Sequence, residues 1–118
     1  MIFKQDTRAS RFERHLIGAQ RAISFMTRAE LVLWPRRANW GQEKIRRLER
    51  FLRDYVVLPY DDRLCNMWAE VKFSSQRKGR ELTRADAWIA ATALAYDLPL
   101  VTHNHRHFAT VDGLQLIA

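Results

Sequence analysis

An α/β fold, built as a three-layer α/β/α sandwich around a mainly parallel sheet, is predicted by three observations. Helix-period and strand-like segments alternate along the chain, the pattern that parallel strands with helical crossovers require. The stretch TRADAWIAATALAYDLPLVTHN, Thr83 to Asn104, joins a helical segment within a few residues to the short apolar run Leu98–Val101, as a buried parallel strand would need. No repeat, low-complexity run or linker interrupts the 118 residues, so the whole of 1–118 reads as a single domain.

The elements follow in order. Residues 8–20 read as a helix with Phe12, Leu16 and Ala19 inward and His15 solvated, and 21–26, RAISFM, read as a strand. A helix is expected to begin at Thr27, with Glu30 three residues inside it, and Pro35 to end or kink it after Trp34, because proline lacks the donor a helix interior needs. Asn39 is expected to cap the next helix, whose Ile45, Leu48, Phe51 and Leu52 form one stripe while Lys44, Arg46, Arg47, Arg50 and Arg53 form its exposed side. YVVLP, 55–59, is β-branched and apolar, a strand. Asp61 or Asp62 caps a long helix with Leu64, Trp68 and Val71 on one face, which Gly79 terminates. Thr83 caps the organising helix, and a last strand is read over 114–117.

The formal charge of +7 is uneven: residues 1–53 carry 13 basic against 5 acidic side chains, net +8, and residues 54–118 carry 7 against 8, net −1. Such asymmetry suits a polyanionic partner, nucleic acid above all, with a solvated arginine-rich helix face as the plainer reading. One cysteine, Cys65, forms no internal disulfide and points to a reducing compartment. No apolar run approaches the roughly 20 residues that span a bilayer, and the N-terminus has no signal-peptide core. A soluble, cytoplasmic protein without membrane contact is expected.

Two acids stand out. Glu30 and Asp86 each lie three residues after a threonine, in Thr27-x-x-Glu30 and Thr83-x-x-Asp86, the spacing of a capping box that satisfies backbone donors at a helix start. The pair also has a functional reading. If ISFM and LPLV are parallel neighbours, their C-terminal ends bring Glu30, Thr102 and Asn104 to one sheet edge, with Asp86 joining from its helix. Oxygen donors converging there suit Mg²⁺ or Mn²⁺, and a basic first half gathers phosphates, the requirements of metal-dependent phosphodiester cleavage. His103, His105 and His107 alternate in THNHRHF; alternation aims side chains apart, so solvated imidazoles with some contact to phosphate are favoured over a zinc site. Trp34, Trp40, Trp68 and Trp88 sit at core-packing spacings, with base stacking as the alternative. No nucleophile elbow, phosphate-binding glycine loop or dinucleotide fingerprint is present, so acyl transfer, nucleotide hydrolysis and hydride transfer have no support.

Taken together, ISFMTRAEL, VVLPYDD, ADAWIAATAL, LPLVTHNHRHF and GLQLI resemble, in order and over nearly the whole chain, the PIN-domain ribonucleases, in particular the VapC-type toxins of toxin–antitoxin pairs. The resemblance implies a Mg²⁺- or Mn²⁺-dependent endoribonuclease acting on RNA, a small VapB-like antitoxin and a homodimer. By matching position it implies that Glu30 and Asp86 are catalytic metal ligands, that Asn104 adds a polar contact to the metal, and that Thr102 and His107 are accessory. Arg46, Arg47 and Arg50 would position RNA. Two departures accompany it. The family opens with an apolar strand ending in an Asp-Thr pair; here MIFKQDTRAS offers Asp6-Thr7 without an apolar run of that kind before it, so the first strand and its aspartate are expected to be missing. His107 stands where many members have an acid. These departures leave a second reading open, a non-catalytic degenerate PIN domain that binds RNA or an antitoxin. A purely structural interaction module is a third.

Overall fold

One five-stranded parallel sheet organises the chain in the computed structural model, which describes the backbone of residues 2–3 and, with side chains, residues 21–117. Its strands are β1 (Ile2–Phe3), β2 (Arg21–Ser24), β3 (Tyr55–Leu58), β4 (Leu100–Val101) and β5 (Leu116–Ile117), in the spatial order β3-β2-β1-β4-β5. All four pairings are parallel. Between them run α1 (Phe25–Arg37), α2 (Gln42–Leu52), α3 (Asp62–Arg77), α4 (Arg84–Ala95) and the short α5 (His105–Phe108). The helix expected over 8–20, with Phe12, His15, Leu16 and Ala19, and the pair Asp6-Thr7 lie outside the described residues. Among the described residues no helix is long and apolar enough to cross a membrane.

The expectation that the opening strand is missing is corrected. Ile2–Phe3 occupies the centre of the sheet, with Ile2 opposite both Ala22 of β2 and Leu100 of β4, and Phe3 opposite Val101. Two apolar residues are enough to fill that slot because their neighbours are themselves only four and two residues long. A search for a longer apolar run passes over so short a segment.

Side-chain alternation along the strands separates two cores, and so three layers. Leu100 and Leu116 join one cluster, with Leu64 and Val71 of α3, Ala87, Ile89, Ala90, Ala91 and Ala93 of α4, and Phe108 of α5. Their sequence neighbours Val101 and Ile117 join the other, with Ile23, Tyr55, Leu31 of α1 and Leu52 of α2. Helices α3 and α4 therefore pack on one face and α1 and α2 on the opposite one. The first core is the better filled: four alanines of α4 are fully buried, which lets α3 and α4 approach closely. By contrast α2 buries none of its residues fully, and a groove of about 470 Å³ separates its Ile45, Leu48 and Leu52 from Leu31, Val32 and Pro35 of α1.

Three local expectations are revised. The helix after β2 starts at Phe25, not Thr27; Ser24 is its N-cap, its Oγ accepting from the Thr27 N–H at 3.0 Å. Serine at the strand end is the better cap because a chain in extended geometry can turn there directly. Pro35 does not stop this helix, which runs on to Arg37 with Pro35 buried inside it. Burial on the α1 face offsets the donor that proline lacks, two residues before the helix would end in any case. Asn39 does not cap α2; it takes φ 53°, closing α1 in the left-handed region, and Gly41 is the N-cap of α2. Asparagine is one of the few residues that tolerate that geometry. Asp61 caps α3, accepting from Leu64 N–H at 2.8 Å, and Gly79, φ 72°, follows its end, both as expected.

Candidate active site

A parallel sheet delivers the ends of all its strands to one edge, and the N-termini of the following helices return there. Asp86 lies in the first turn of α4 at that edge. Thr83 is the N-cap, with extended backbone (φ −62°, ψ 160°) and its Oγ1 accepting from the Asp86 N–H at 3.1 Å. So half of the capping box is present, and it fixes the turn that carries the carboxylate. Asp86 itself is 7% exposed, low for an ionisable residue, and lies at the positive end of the helix.

The loop after β4 supplies the opposite wall. Thr102 is buried at 1% exposure, and its Oγ1 accepts from the Asn104 N–H at 3.0 Å, a hydroxyl turn that reverses the chain directly after the strand. Asn104 is the N-cap of α5 and its carbonyl accepts from His107 N–H at 3.1 Å; its side chain makes no capping bond. The turn is held down by Phe108, fully buried, and by Lys78, the C-cap of α3, which donates to the Thr110 carbonyl and pairs with Asp112 Oδ1 at 3.0 Å. On this platform the His107 imidazole stands with Nδ1 3.7 Å from Asp86 Oδ2, its side chain 65% exposed.

Asp86 and His107 share a groove of about 330 Å³ with Arg80, Glu81, Leu82, Thr83, Arg106 and Thr110. Its rim is braced by Lys72, which pairs with Glu81 at 3.2 Å and donates to the Leu82 carbonyl. The Gln76 amide and then the Lys72 ammonium hold the Glu81 carboxyl below its usual range. The structure thus brings together Asp86 and His107, joined through the Thr102 turn to Asn104. Glu30 sits half-buried on α1, a helix that packs against α4. It does not complete a cluster: among the described residues no three His, Cys, Asp or Glu side chains gather as a metal site. By the same finding His103, His105 and His107 do not gather as one metal site. With Ser24 as the cap of α1, Glu30 lies beyond its first turn, and the capping-box account of Glu30 falls away.

Arg46, Arg47 and Arg50 are exposed on α2, Arg47 within 4.0 Å of Glu43. They lie on a helix that is not among the main neighbours of α4, which are α3, α1 and β2. The arginines in the Asp86 groove are instead Arg80 and Arg106. Sequence reasoning passed over both because each stands in a loop or a short turn, KGREL and HRHF, where no periodicity marks a face. Three of the four tryptophans are placed by ring contacts: Trp68 stacks on Trp88 at 5.1 Å, Trp88 meets Phe25 edge-on at 5.2 Å, and Lys44 lies over Trp40 at 4.1 Å. Trp68 and Trp88 thus pack between α3 and α4, as their spacing predicts.

The cap gives a first testable expectation. Thr83→Ala should cost about 1 kcal/mol, lowering the melting temperature by roughly 4 °C for a domain of this size, while Thr83→Ser stays close to the parent. Equal melting curves for all three would show that the hydroxyl does not hold the turn under Asp86.

A PIN-domain model matches residues 1–114. Among curated proteins, ribonuclease VapC5 of Mycobacterium tuberculosis is 30% identical over 115 residues, covering 95% of this chain and 84% of its own length. Ribonuclease VapC1 of Haemophilus influenzae strain R2866 is 28% identical over 107 residues, covering 91% and 80%. Among solved structures, VapBC-1 of nontypeable Haemophilus influenzae superposes with a TM-score of 0.81 at 25% identity, over 99% of this chain and 97% of that one. The order of the parallel strands, the acid that opens α4 and these matches have one conclusion: the chain belongs to the PIN-domain family, among its VapC-type members.

Proposed function

We propose that this chain is the ribonuclease of a toxin–antitoxin pair, hydrolysing RNA phosphodiester bonds in the groove at the N-terminus of α4 with the help of a divalent cation. The observation that carries this reading is Asp86, a nearly buried carboxylate opening into a groove that also holds two arginines and a histidine. Arg80 and Arg106 offer charge to a phosphate there, and a divalent cation would let that phosphate sit beside the Asp86 carboxylate. Asp86 would hold the cation, with Asn104 adding an amide oxygen and Glu30, which does not gather with Asp86 and His107 as one cluster, acting on it from α1 through water. In kind these donors suit Mg²⁺ or Mn²⁺. In number they are few, yet such ions are commonly held by one or two carboxylates, water and the phosphates of the substrate. When bound, the cation supplies Lewis-acid polarisation of the phosphoryl group and a more acidic water.

The remaining steps belong to the chain's own residues. Arg80 and Arg106 clamp the phosphate and offset its charge, with the planar fork that suits phosphate oxygens. The Thr102 turn and buried Phe108 hold His107 and Asn104 in place, so that little rearrangement is needed on binding. Arg46, Arg47 and Arg50, on α2, add a salt-sensitive attraction for the rest of the strand. The reading includes a cytoplasmic homodimer and a small VapB-like antitoxin; a solved relative that superposes on this chain, VapBC-5 of Mycobacterium tuberculosis, is described as a member of the VapBC family of toxin–antitoxin systems.

The test is cleavage of a mixed RNA substrate by the purified chain. Cleavage should need added Mg²⁺ or Mn²⁺, stop with EDTA and return when cation is restored in excess. Cleavage indifferent to EDTA would overturn the cation's part in it. The second reading, a degenerate domain that only binds RNA or an antitoxin, is favoured by the lack of a three-residue metal cluster among the described residues. It would be supported by RNA binding that persists in EDTA while no condition yields cleavage.

A further inference from the structure

We propose that Ser75 and Lys72 of α3 are positioning residues for RNA: through the backbone of the loop 78–83 they hold Arg80 at the groove as a preformed phosphate contact. The inference rests on the reading above in taking RNA as the ligand of the groove, and it makes no use of a cation.

Neither residue lines the groove; both are committed to the loop that does. Ser75 is 4% exposed. Its carbonyl accepts from the Arg80 N–H at 3.1 Å, and its Oγ accepts from the Leu82 N–H, also at 3.1 Å. The Ser75 hydroxyl donates in turn to the Lys72 carbonyl at 2.8 Å, which aims a lone pair of the oxygen at Leu82. Lys72, its side chain 16% exposed, takes the other end of Leu82: its ammonium donates to the Leu82 carbonyl and pairs with Glu81 at 3.2 Å. Arg80 is thereby bracketed between two bonds to one serine, directly after Gly79 turns the chain at φ 72°.

Two consequences bear on a phosphate. Glu81 also lines the groove, where it would repel an anion; Lys72 and the Gln76 amide, 3.0 Å from Glu81 Oε1, engage that carboxylate instead. Arg80, for its part, is presented from a backbone already ordered. An arginine on a loose loop would lose part of its binding energy to ordering that loop; here the ordering is complete once the chain has folded. Lysine is seldom withdrawn from water unless paired, and this one is withdrawn for contacts to this loop.

The experiment measures binding of the full chain to a fluorescent uridine oligonucleotide, in EDTA and over a range of salt. Ser75→Ala changes no charge, so any loss of a phosphate contact in that variant must act through another residue. It should bind roughly three- to tenfold more weakly, and the slope of log Kd against log salt should fall by up to about 0.7, the share of one phosphate on a single strand. Arg80→Ala should show the same loss, and the two together should lose little more, because both remove one contact. Ser75→Thr, which keeps the hydroxyl, should bind closer to the parent. If Ser75→Ala does not fold, Lys72→Met with Glu81→Gln, which also preserves the net charge, releases the Leu82 carbonyl and should lower the slope likewise. A smaller slope in Arg80→Ala beside an unchanged one in Ser75→Ala, or losses that add in the double variant, would overturn the positioning role while leaving RNA as the ligand. Arg80→Ala equal to the parent in affinity and slope would overturn both this role and the part given to Arg80 in holding phosphate, whereas chelator-sensitive cleavage would still uphold the reaction.

Discussion

Asp86→Asn should reduce RNA cleavage by at least on the order of 10²-fold, the loss expected when an interaction of several kcal/mol with a catalytic cation is removed. The substitution is close to isosteric, and the bond that shapes the first turn of α4, Asp86 N–H to Thr83 Oγ1, runs through the backbone and is retained. What stability is lost comes from the missing anion at a helix N-terminus, about 0.3–1 kcal/mol. Activity and folding are thereby separated: a melting curve near that of the parent, with cleavage gone, assigns the loss to chemistry. The affinity for RNA gives a further discriminating measurement. Removing a negative charge from a groove lined by Arg80 and Arg106 should leave RNA binding in EDTA as tight as before, or tighter. Cleavage that persists in Asp86→Asn would dismiss this carboxylate as the centre of the site.

Phe108→Ala should have the largest effect on stability, a loss of about 3–5 kcal/mol. Phe108 is fully buried in the larger core, at the end of a helix only four residues long that could not stand without it. Against a typical total stability of roughly 5–15 kcal/mol, such a loss brings the domain near its threshold. Denaturant unfolding measures it as a midpoint that falls with little change in slope. Phe108→Leu, which keeps most of the volume, should cost clearly less. In folded Phe108→Leu protein, cleavage is expected to fall further than stability does, because the same ring holds the turn carrying Asn104 and His107. A Phe108→Ala variant as stable as its parent would show that the turn is not anchored through this ring.

Much of this arrangement was legible in the chain, for reasons that differ from element to element. The α4–β4 unit was readable because three signals coincide there: a threonine cap, a helix-period apolar face and a short apolar strand. Asp61 and Gly79 were readable because capping and left-handed geometry restrict residue choice strongly. Ser24 was not, since serine and Thr27 are both good caps and only the end of β2 decides between them. Pro35 misled because its cost depends on what its face buries, a tertiary quantity. The site divides the same way. Asp86 could be picked out as the one acid in an apolar helix, whereas the nearness of His107, Arg80 and Arg106 depends on how a loop after α3 and a turn after β4 meet. No local pattern records that meeting. The strand Ile2–Phe3 was hidden for a simpler reason: two residues have no periodicity to read.

That central strand has a consequence for the order in which the protein is made. Ile2 pairs with Leu100 and Phe3 with Val101, so the middle of the sheet joins segments that lie far apart in the sequence. The residues between them must be translated before β4 can close on β1; at about 5–20 residues per second this takes roughly 5–20 s. Pairings so distant in sequence also form slowly once available, because the intervening loop must be closed first. Until then the turn after β4 has no sheet to stand on, and Asp86 has no opposite wall. A nascent chain is therefore without its groove throughout that interval, and the competence to act arises only once β4 has been made and has closed on β1.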